Sequence, residues 1–359
     1  METSISNVKS FLRRAATEAG FDLVGVAPAR DSRELEYFPE WIASGCAGEM
    51  KYLEARDQAG ELKRGSLARV APWARTVIVC AINYNTDHPY STASKESERG
   101  WISRYAWSRK DYHDTVLGRL QQVEVALHEE AGETSGLVTR SYVDTGPIIE
   151  RVFAKYSGIG WVGKNTCLIN QKMGSWLFLG VILTSLDLEP DRPAPDRCGT
   201  CTRCIEACPT DAIVAPYRLD SNRCIAYLTI EKRGSIPEEL RAGMGRHVFG
   251  CDICQDVCPW NRKAPASGLP EFSPREGLVN PALESLAEMS EEEFRENFRG
   301  SPIRRTKRSG LRRNVAIAMG NSGRREYVSR LEGMRSDEDP GVAEAADWAV
   351  NRLNRNDIR

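Results

Sequence analysis

Apolar positions recur at helical spacing from the start of the chain. Within residues 4–19, Val8, Phe11, Leu12 and Ala15 share one face, and Gly20 follows as a stop. Phe21 to Val26 then reads as a strand, and Thr76 to Asn83 (TVIVCAIN) as a second, buried one. Polar residues from Asp87 to Gly100 predict an exposed loop, and a helix is expected from Asp114 to about Glu130. Leu137 to Val143 reads as a strand that ends in Asp144-Thr145-Gly146-Pro147. A helix follows over Ile148 to Tyr156, then an apolar strand over Trp176 to Leu183. Strands alternating with helices predict an α/β domain over residues 1–186.

The pattern breaks at Asp187, where DLEPDRPAPDR carries three prolines and reads as a linker. A Cys-rich segment follows, giving a ferredoxin-like domain over 187–264, and APASGLPEFSPREG after it is again rich in Pro and Gly. From residue 282 onward the spacing is helical. Ser290 with Glu293 forms a capping-box pattern ahead of a helix at Glu291 to Phe298. Further short helices are expected over Leu311–Met319, Glu326–Gly333 and Val342–Leu353. LRRNVAIAMGN and DPGVAEAADWAVNRL have HEAT-like wording, so 271–359 reads as a HEAT-like tail. The whole is expected to be an α+β multidomain chain.

Composition changes this picture little. The 359 residues are 41% hydrophobic and 28% charged, an ordinary globular balance that excludes collagen-like and largely disordered classes. Global charge, −1, announces neither nucleic acid nor membrane as a partner. The apolar run Trp176–Leu183 is far shorter than the ~20 residues a membrane helix needs. The first 20 residues hold Glu2, Lys9, Arg13, Arg14 and Glu18, with no apolar stretch of an export signal and no twin arginine ahead of one. A cytoplasmic monomer is the expectation.

Cysteine is the informative residue. There are eleven, and eight fall between Cys198 and Cys258. In a reducing compartment such clustering means metal or redox chemistry. Cys198-x2-Cys201-x2-Cys204-x3-Cys208-Pro209 is the bacterial ferredoxin run. A second run is Cys251-x2-Cys254-x3-Cys258-Pro259, with Cys224 alone before it. In two-cluster ferredoxins the fourth cysteine of a run ligates the other cluster. One [4Fe–4S] cluster then takes Cys198, Cys201, Cys204 and Cys258, and the other takes Cys208, Cys224, Cys251 and Cys254. Structural zinc also favours C-x2-C pairs, but the full run favours clusters. Cys46, Cys80 and Cys167 lie outside the motif and read as buried small hydrophobes. A bare electron carrier needs little more than the Cys-rich segment, so the electrons are expected to reach a site in the first domain.

Other motifs are near misses. Gly158-x4-Gly163-Lys164 resembles a P-loop, but Asn165 stands where Ser or Thr must hold Mg²⁺. Asp111-Tyr112-His113 begins like the D-x-H-x-x-G string that gives histidine to cobalamin cobalt, yet Val116 stands at the glycine position. His113 then reads as a surface histidine. Asp144, at a strand end before a helix, has two readings. It is an N-cap, accepting backbone N–H bonds, or a general acid in a cleft where burial raises its pKa. Between Arg299 and Arg313 there are seven basic residues and no acidic one. That run is a solvated helix face or a phosphate-binding surface for RNA.

Together these strings resemble the epoxyqueuosine reductase family. The resemblance runs through FDLVGVAPA (21–29), KR (63–64), VIVCAINY (77–84), ISRYAWSRKDYH (102–113), YVDTGPIIER (142–151) and GIGWVGKNTCLIN (158–170). It continues through both Cys runs, CIAYLTIEKRG (224–234) and HVFGCDICQDVCPWN (247–261). The resemblance implies a cobalamin enzyme with two [4Fe–4S] clusters that removes the epoxide oxygen of epoxyqueuosine in tRNA, giving queuosine. It implies Asp144 as proton donor and no protein histidine on cobalt. It implies Arg64, Tyr105, Asp144, Lys164, Asn165 and Ser175 as cobalamin-pocket residues. Arg304, Arg305, Lys307, Arg308, Arg312 and Arg313 of the tail are the expected tRNA contacts, and a separate electron donor is required. Cys167 departs from the commoner Leu of the K-N-T-L-L string, and the tail is not present in every member. Two other readings use the same cofactors. One is a reductive dehalogenase-like cobalamin reductase of a small molecule. The other is a non-enzymatic electron-transfer or cobalamin-handling protein.

Overall fold

The structure, a computed structural model, describes residues 5–132, 134 and 136–355. Ser4 of the expected first helix and residues 356–359 of the expected tail lie outside the described residues. The chain divides into two compact units. Of the described residues, those up to 85, those in 112–201 and 259–267 form the first, and those in 86–111, 202–258 and from 268 to 355 form the second.

A four-stranded sheet organises the first unit. Its strands are β1 (Leu23–Pro28), β2 (Thr76–Asn83), β3 (Thr139–Tyr142) and β4 (Leu177–Thr184), in the spatial order β1-β2-β4-β3. Every neighbouring pair is antiparallel. This differs from the parallel sheet that usually accompanies alternating strands and helices. The reason is that β4, last in the chain, inserts between β2 and β3 and pairs with both. The central strands β2 and β4 are covered on both faces, which is why TVIVCAIN is buried at every position.

Period-two alternation sends the two sets of side chains to different helices. Val77, Val79 and Ala81 of β2, with Val181 and Leu183 of β4, pack on one face against Val152, Phe153 and Ala154 of α3 (Glu150–Tyr156). On the other face lies α2 (Tyr112–Ala131), with α1 (Ile5–Glu18) packed beside it. Gly180 of β4 admits α2 closely: a Cβ there would stand 2.7 Å from a methyl of Leu120 and 3.0 Å from one of Val116.

The second unit holds most of the cysteine segment and the C-terminal helices. Trp101–Ile102 pairs in parallel with His247–Phe249, just ahead of Cys251. Asp252, buried, ties these pieces together. It accepts from Trp101 Nε1 at 3.0 Å, the Arg104 amide at 2.8 Å, and the Ser103 hydroxyl. Gly250, at φ +69°, sits so close to Ser103 that a Cβ would lie 2.4 Å from the serine Cβ. The Ser290–Glu293 capping box is present on the helix Glu291–Asn297. Among the later helices, α4 (Lys307–Asn321) and α5 (Pro340–Asn354) pack on each other.

Arg313 does not belong to a solvated basic face. Its guanidinium is buried and donates to the carbonyls of Leu228 at 2.8 Å, Lys232 at 2.9 Å and Gly234 at 2.7 Å. Asn314 next to it donates to Thr229 and Val248 carbonyls. These side chains fasten α4 to the segment that carries Cys224 and Cys251. Removing a buried donor leaves each carbonyl unsatisfied, at about 1–3 kcal/mol apiece. Arg313→Met is therefore expected to lower Tm by roughly 5–10 °C. Arg304→Ala, on an exposed position, should leave Tm within about a degree or two. Equal effects in a thermal melt would contradict the structural role.

Candidate active site and cluster segment

Asp144 lies two residues beyond β3. The amide of Thr145 donates to the carbonyl of Val143 at 2.5 Å, and Asp144 between them has φ +58°. This is a three-residue turn in the left-handed region, a strained geometry for a residue with a side chain. The helix begins only at Glu150, with Ile149 as its N-cap, so Asp144 is not a helix cap. Pro147 supplies the reason, because it disfavours helical backbone at the residue before it.

The Asp144 carboxylate is 57% exposed, not buried as the general-acid reading expected. Its Oδ2 accepts from the hydroxyl of Tyr112 at 2.7 Å, and His113 Nε2 stands 3.7 Å from the same oxygen. Both come from the first turn of α2. Tyr112 is held flat against Phe178 of β4, with ring centroids 4.3 Å apart and planes within 1°. His113 is thus beside the acid and not a surface bystander. On the other side, the Asp144 amide donates to Glu150 Oε1 at 2.9 Å. Burial pushes the Glu150 carboxyl up to about 7, and the negative Asp144 nearby pushes it the same way. Arg64 donates to the carbonyl of Gly146 at 2.7 Å and to that of Tyr52 at 2.9 Å, closing over the turn. The sequence assigns no role at this site to Tyr112, His113 or Glu150. All three sit inside the strings ISRYAWSRKDYH and YVDTGPIIER, but no spacing rule joins positions this far apart.

The other expected pocket residues lie on other elements. Trp161–Val162 and Leu168–Ile169 form a small hairpin whose tip carries Lys164 and Asn165. No helix follows the glycines, so the P-loop likeness ends there. Lys164 donates to the carbonyls of Gly199 at 2.7 Å and Cys201 at 3.0 Å, which places it on the first cysteine turn. Asn165 and Ser175 are buried, and Ser175 accepts from Asn261 Nδ2 at 2.9 Å. Tyr105 belongs to the second unit, where its ring lies 6.0 Å from that of Phe249.

Of the eight patterned cysteines, Cys198 and Cys201 fall in the first unit and the rest in the second. Cys204 and Cys254 ride on the short helices Arg203–Glu206 and Ile253–Asp256, which pack together. Burial pushes the Cys251 thiol up, and charge on Cys224 and Cys208 acts in the same direction. Cys80 is fully buried in β2, as expected, whereas Cys46 and Cys167 are only partly buried.

The basic run is likewise divided. Arg304, Arg305 and Lys307 are exposed, and Arg308 is half-buried with its Nε on the carbonyl of Met289. Arg312 is ion-paired with Asp337 at 3.1 Å and donates to Ala287, while Arg313 is the buried tie described above. No helix among the described residues is long and apolar enough to cross a membrane.

Comparison with known proteins follows the same two regions. The family described as "Epoxyqueuosine reductase QueG, DUF1730" matches residues 64–145, and "4Fe-4S double cluster binding domain" matches 197–261. The epoxyqueuosine reductase of Xanthomonas campestris pv. campestris is 39% identical over 94% of this chain and 94% of its own. The chain belongs to the epoxyqueuosine reductase family. That of Synechocystis sp. is 44% identical over 81% of this chain and 98% of its own. A crystal structure of epoxyqueuosine reductase with a tRNA-Tyr epoxyqueuosine-modified stem loop superposes with a TM-score of 0.85. It is 30% identical and covers 98% of this chain and 91% of that one. The enzyme from Bacillus subtilis, solved with its catalytic aspartate loop swung out of the active site, matches with the same TM-score, 0.85, and 30% identity over 98% of this chain and 91% of that one.

The raised Glu150 pKa has a consequence for stability. The folded protein holds this proton up to about 7, whereas an ordinary glutamate releases it near 4.5. Its contribution is complete below 4.5 and is lost as pH rises through 7. Glu150→Gln lacks this loss. The Tm of the wild type should therefore fall relative to Glu150→Gln as pH is raised from about 5 to about 8. A Tm difference that is flat in pH would contradict the assignment.

Proposed function

We propose that the chain performs its family's reaction with cobalamin and two [4Fe–4S] clusters, and that Asp144 is the proton donor. As a member of the family it is an oxidoreductase that removes the epoxide oxygen of epoxyqueuosine in tRNA, giving queuosine. The observation that carries the proton-donor reading is Asp144 itself. An exposed carboxyl stands on a strained turn, steadied by the Tyr112 hydroxyl, in a chain with eight cysteines at cluster spacing.

The residues present fit the cofactors. Thiolates are soft donors suited to iron–sulfur clusters, the double-cluster family model spans residues 197–261, and the crossing pattern of the two runs puts Cys208, Cys224 and Cys251 in one set of ligands. Cys254 completes that set, and Cys198, Cys201, Cys204 and Cys258 form the other, on the crossing pattern of the two runs. For cobalamin, Trp161 offers a buried indole N–H with no hydrogen-bond partner, at the base of the hairpin that carries Asn165. A corrin edge set with amide carbonyls supplies acceptors for such a donor. Arg64, Asp144, Asn165 and Ser175, all of the first unit, are its proposed neighbours, and Lys164 serves to hold the first cysteine turn.

When bound, cobalamin supplies strongly reducing cobalt chemistry at the epoxide carbon, with one-electron transfer from the clusters and ultimately from a separate donor. The protein's part is to manage the oxygen that departs. The Tyr112 hydroxyl orients the Asp144 carboxyl through Oδ2, and this carboxyl is the proposed source of the proton. Giving it to the oxygen avoids a poor alkoxide leaving group. Arg304, Arg305, Lys307 and Arg308 hold the tRNA through its phosphates in the cytoplasm, on a HEAT-like tail. The base is unstacked into the pocket, as in enzymes that act on a nucleobase.

Two experiments test this reading. Asp144→Asn and Asp144→Ala should lower turnover by about 10²–10⁴-fold, the usual worth of a positioned acid, while cobalamin remains bound by its absorbance. Near-wild-type turnover would remove the acid role. Neutralising Arg304, Arg305 and Lys307 should weaken tRNA binding and flatten its dependence on salt, by roughly 0.7–0.9 in the log–log slope for each phosphate no longer neutralised. An unchanged slope would rule these residues out as the phosphate surface.

A further inference from the structure

We infer that Glu150 is a positioning residue for Asp144: its carboxyl oxygen holds the Asp144 amide and keeps the turn that presents the acid. The inference rests on the reading of Asp144 as proton donor.

The turn cannot hold itself. Its closing bond joins Thr145 to Val143 across a single residue, and that residue, Asp144, lies at φ +58°. A side-chain-bearing residue there costs about 1–3 kcal/mol and persists only where its surroundings over-determine it. In a three-residue turn the amide of the central residue has no partner within the turn. Glu150 Oε1 takes that amide at 2.9 Å. It reaches back six residues from the start of α3, a helix anchored on the sheet through Val152, Phe153 and Ala154. The helix is anchored on the sheet, and the acceptor is aimed at the central amide, a donor that the turn itself leaves over.

Two further interactions act on this segment but not on that amide. Arg64 binds the carbonyl of Gly146, and Tyr112 binds the Asp144 carboxylate itself. Gly146 packs so tightly on Tyr142 that a Cβ would lie 2.4 Å from the ring. Without Glu150 the chain between Tyr142 and Gly146 keeps its two ends, while the middle relaxes toward an ordinary φ. The carboxyl then moves by about an ångström or more, and misplacement of that size costs on the order of 100-fold in rate.

The test uses the full chain reconstituted with its clusters and cobalamin. Glu150→Met keeps the length of the side chain and loses the acceptor, while Glu150→Gln keeps an acceptor oxygen. Hydrogen exchange of residues 143–147 is read by mass spectrometry, alongside kcat and KM for epoxyqueuosine-containing tRNA. The Met variant should exchange faster in that segment and lose on the order of 100-fold in kcat, with KM and cluster absorbance unchanged. The Gln variant should restore both. Wild-type exchange and kcat in the Met variant would overturn the inference. So would equal loss of kcat in Met and Gln variants with exchange unchanged, since charge and not the hydrogen bond would then matter. Should Glu150→Met fail to fold, Glu150→Asp withdraws the oxygen by one methylene and must give the same faster exchange. If Asp144→Asn proves fully active, the acid reading falls, whereas the exchange measurement still decides whether Glu150 holds the turn.

Discussion

Pairing of β3 along β4 decides where the acid stands. Tyr142 lies opposite Val181, so the chain leaves the sheet edge at a set point and Asp144 follows two residues later. The same strand β4 carries Phe178, on which the ring of Tyr112 lies flat. One strand therefore positions both the acid and the hydroxyl that orients it. Gly180 of that strand lets α2 approach closely enough for Tyr112 to reach. A slip of one residue in the β3–β4 register would turn the side chains of the loop to the other face and separate the pair.

The two carboxyls of this region live in different surroundings, and their roles differ accordingly. Glu150 is drawn into the protein and keeps its proton to about pH 7, while Asp144 projects toward solvent. Exposure suits a group that must meet a substrate as large as tRNA. Burial suits one whose oxygen serves the backbone. The same division of labour appears in the basic residues of the tail. Arg313 commits its guanidinium to three carbonyls inside the second unit, and Arg312 to Asp337. Arg304, Arg305 and Lys307 lie exposed, where an external polyanion can reach them.

Much of this was legible in the residues. TVIVCAIN matched the limits of β2, because a strand covered on both faces is apolar throughout. The capping box at Ser290 is local chemistry and formed as expected. The cysteine runs named their chemistry by spacing alone, and the VDTGP, GWVGKN and CDICQDVCP strings named the family. What stayed hidden depends on contacts between distant positions. Nothing near Asp144 in the chain shows that Tyr112 will lie beside it. Arg304 and Arg313 are equivalent as letters in a basic run, and only packing on the Leu228–Gly234 segment separates them. The antiparallel sheet was also out of reach, because the insertion of β4 between β2 and β3 is a long-range choice.

The most direct measurement incubates the reconstituted protein anaerobically with epoxyqueuosine-containing tRNA and a strong reductant, with and without cobalamin. Digested nucleosides are then weighed by mass spectrometry. Loss of one oxygen from the modified nucleoside, seen only when cobalamin is present, is the predicted result. Loss of that oxygen at the same rate without cobalamin would contradict the account, as would no loss from protein shown to carry both clusters and cobalamin.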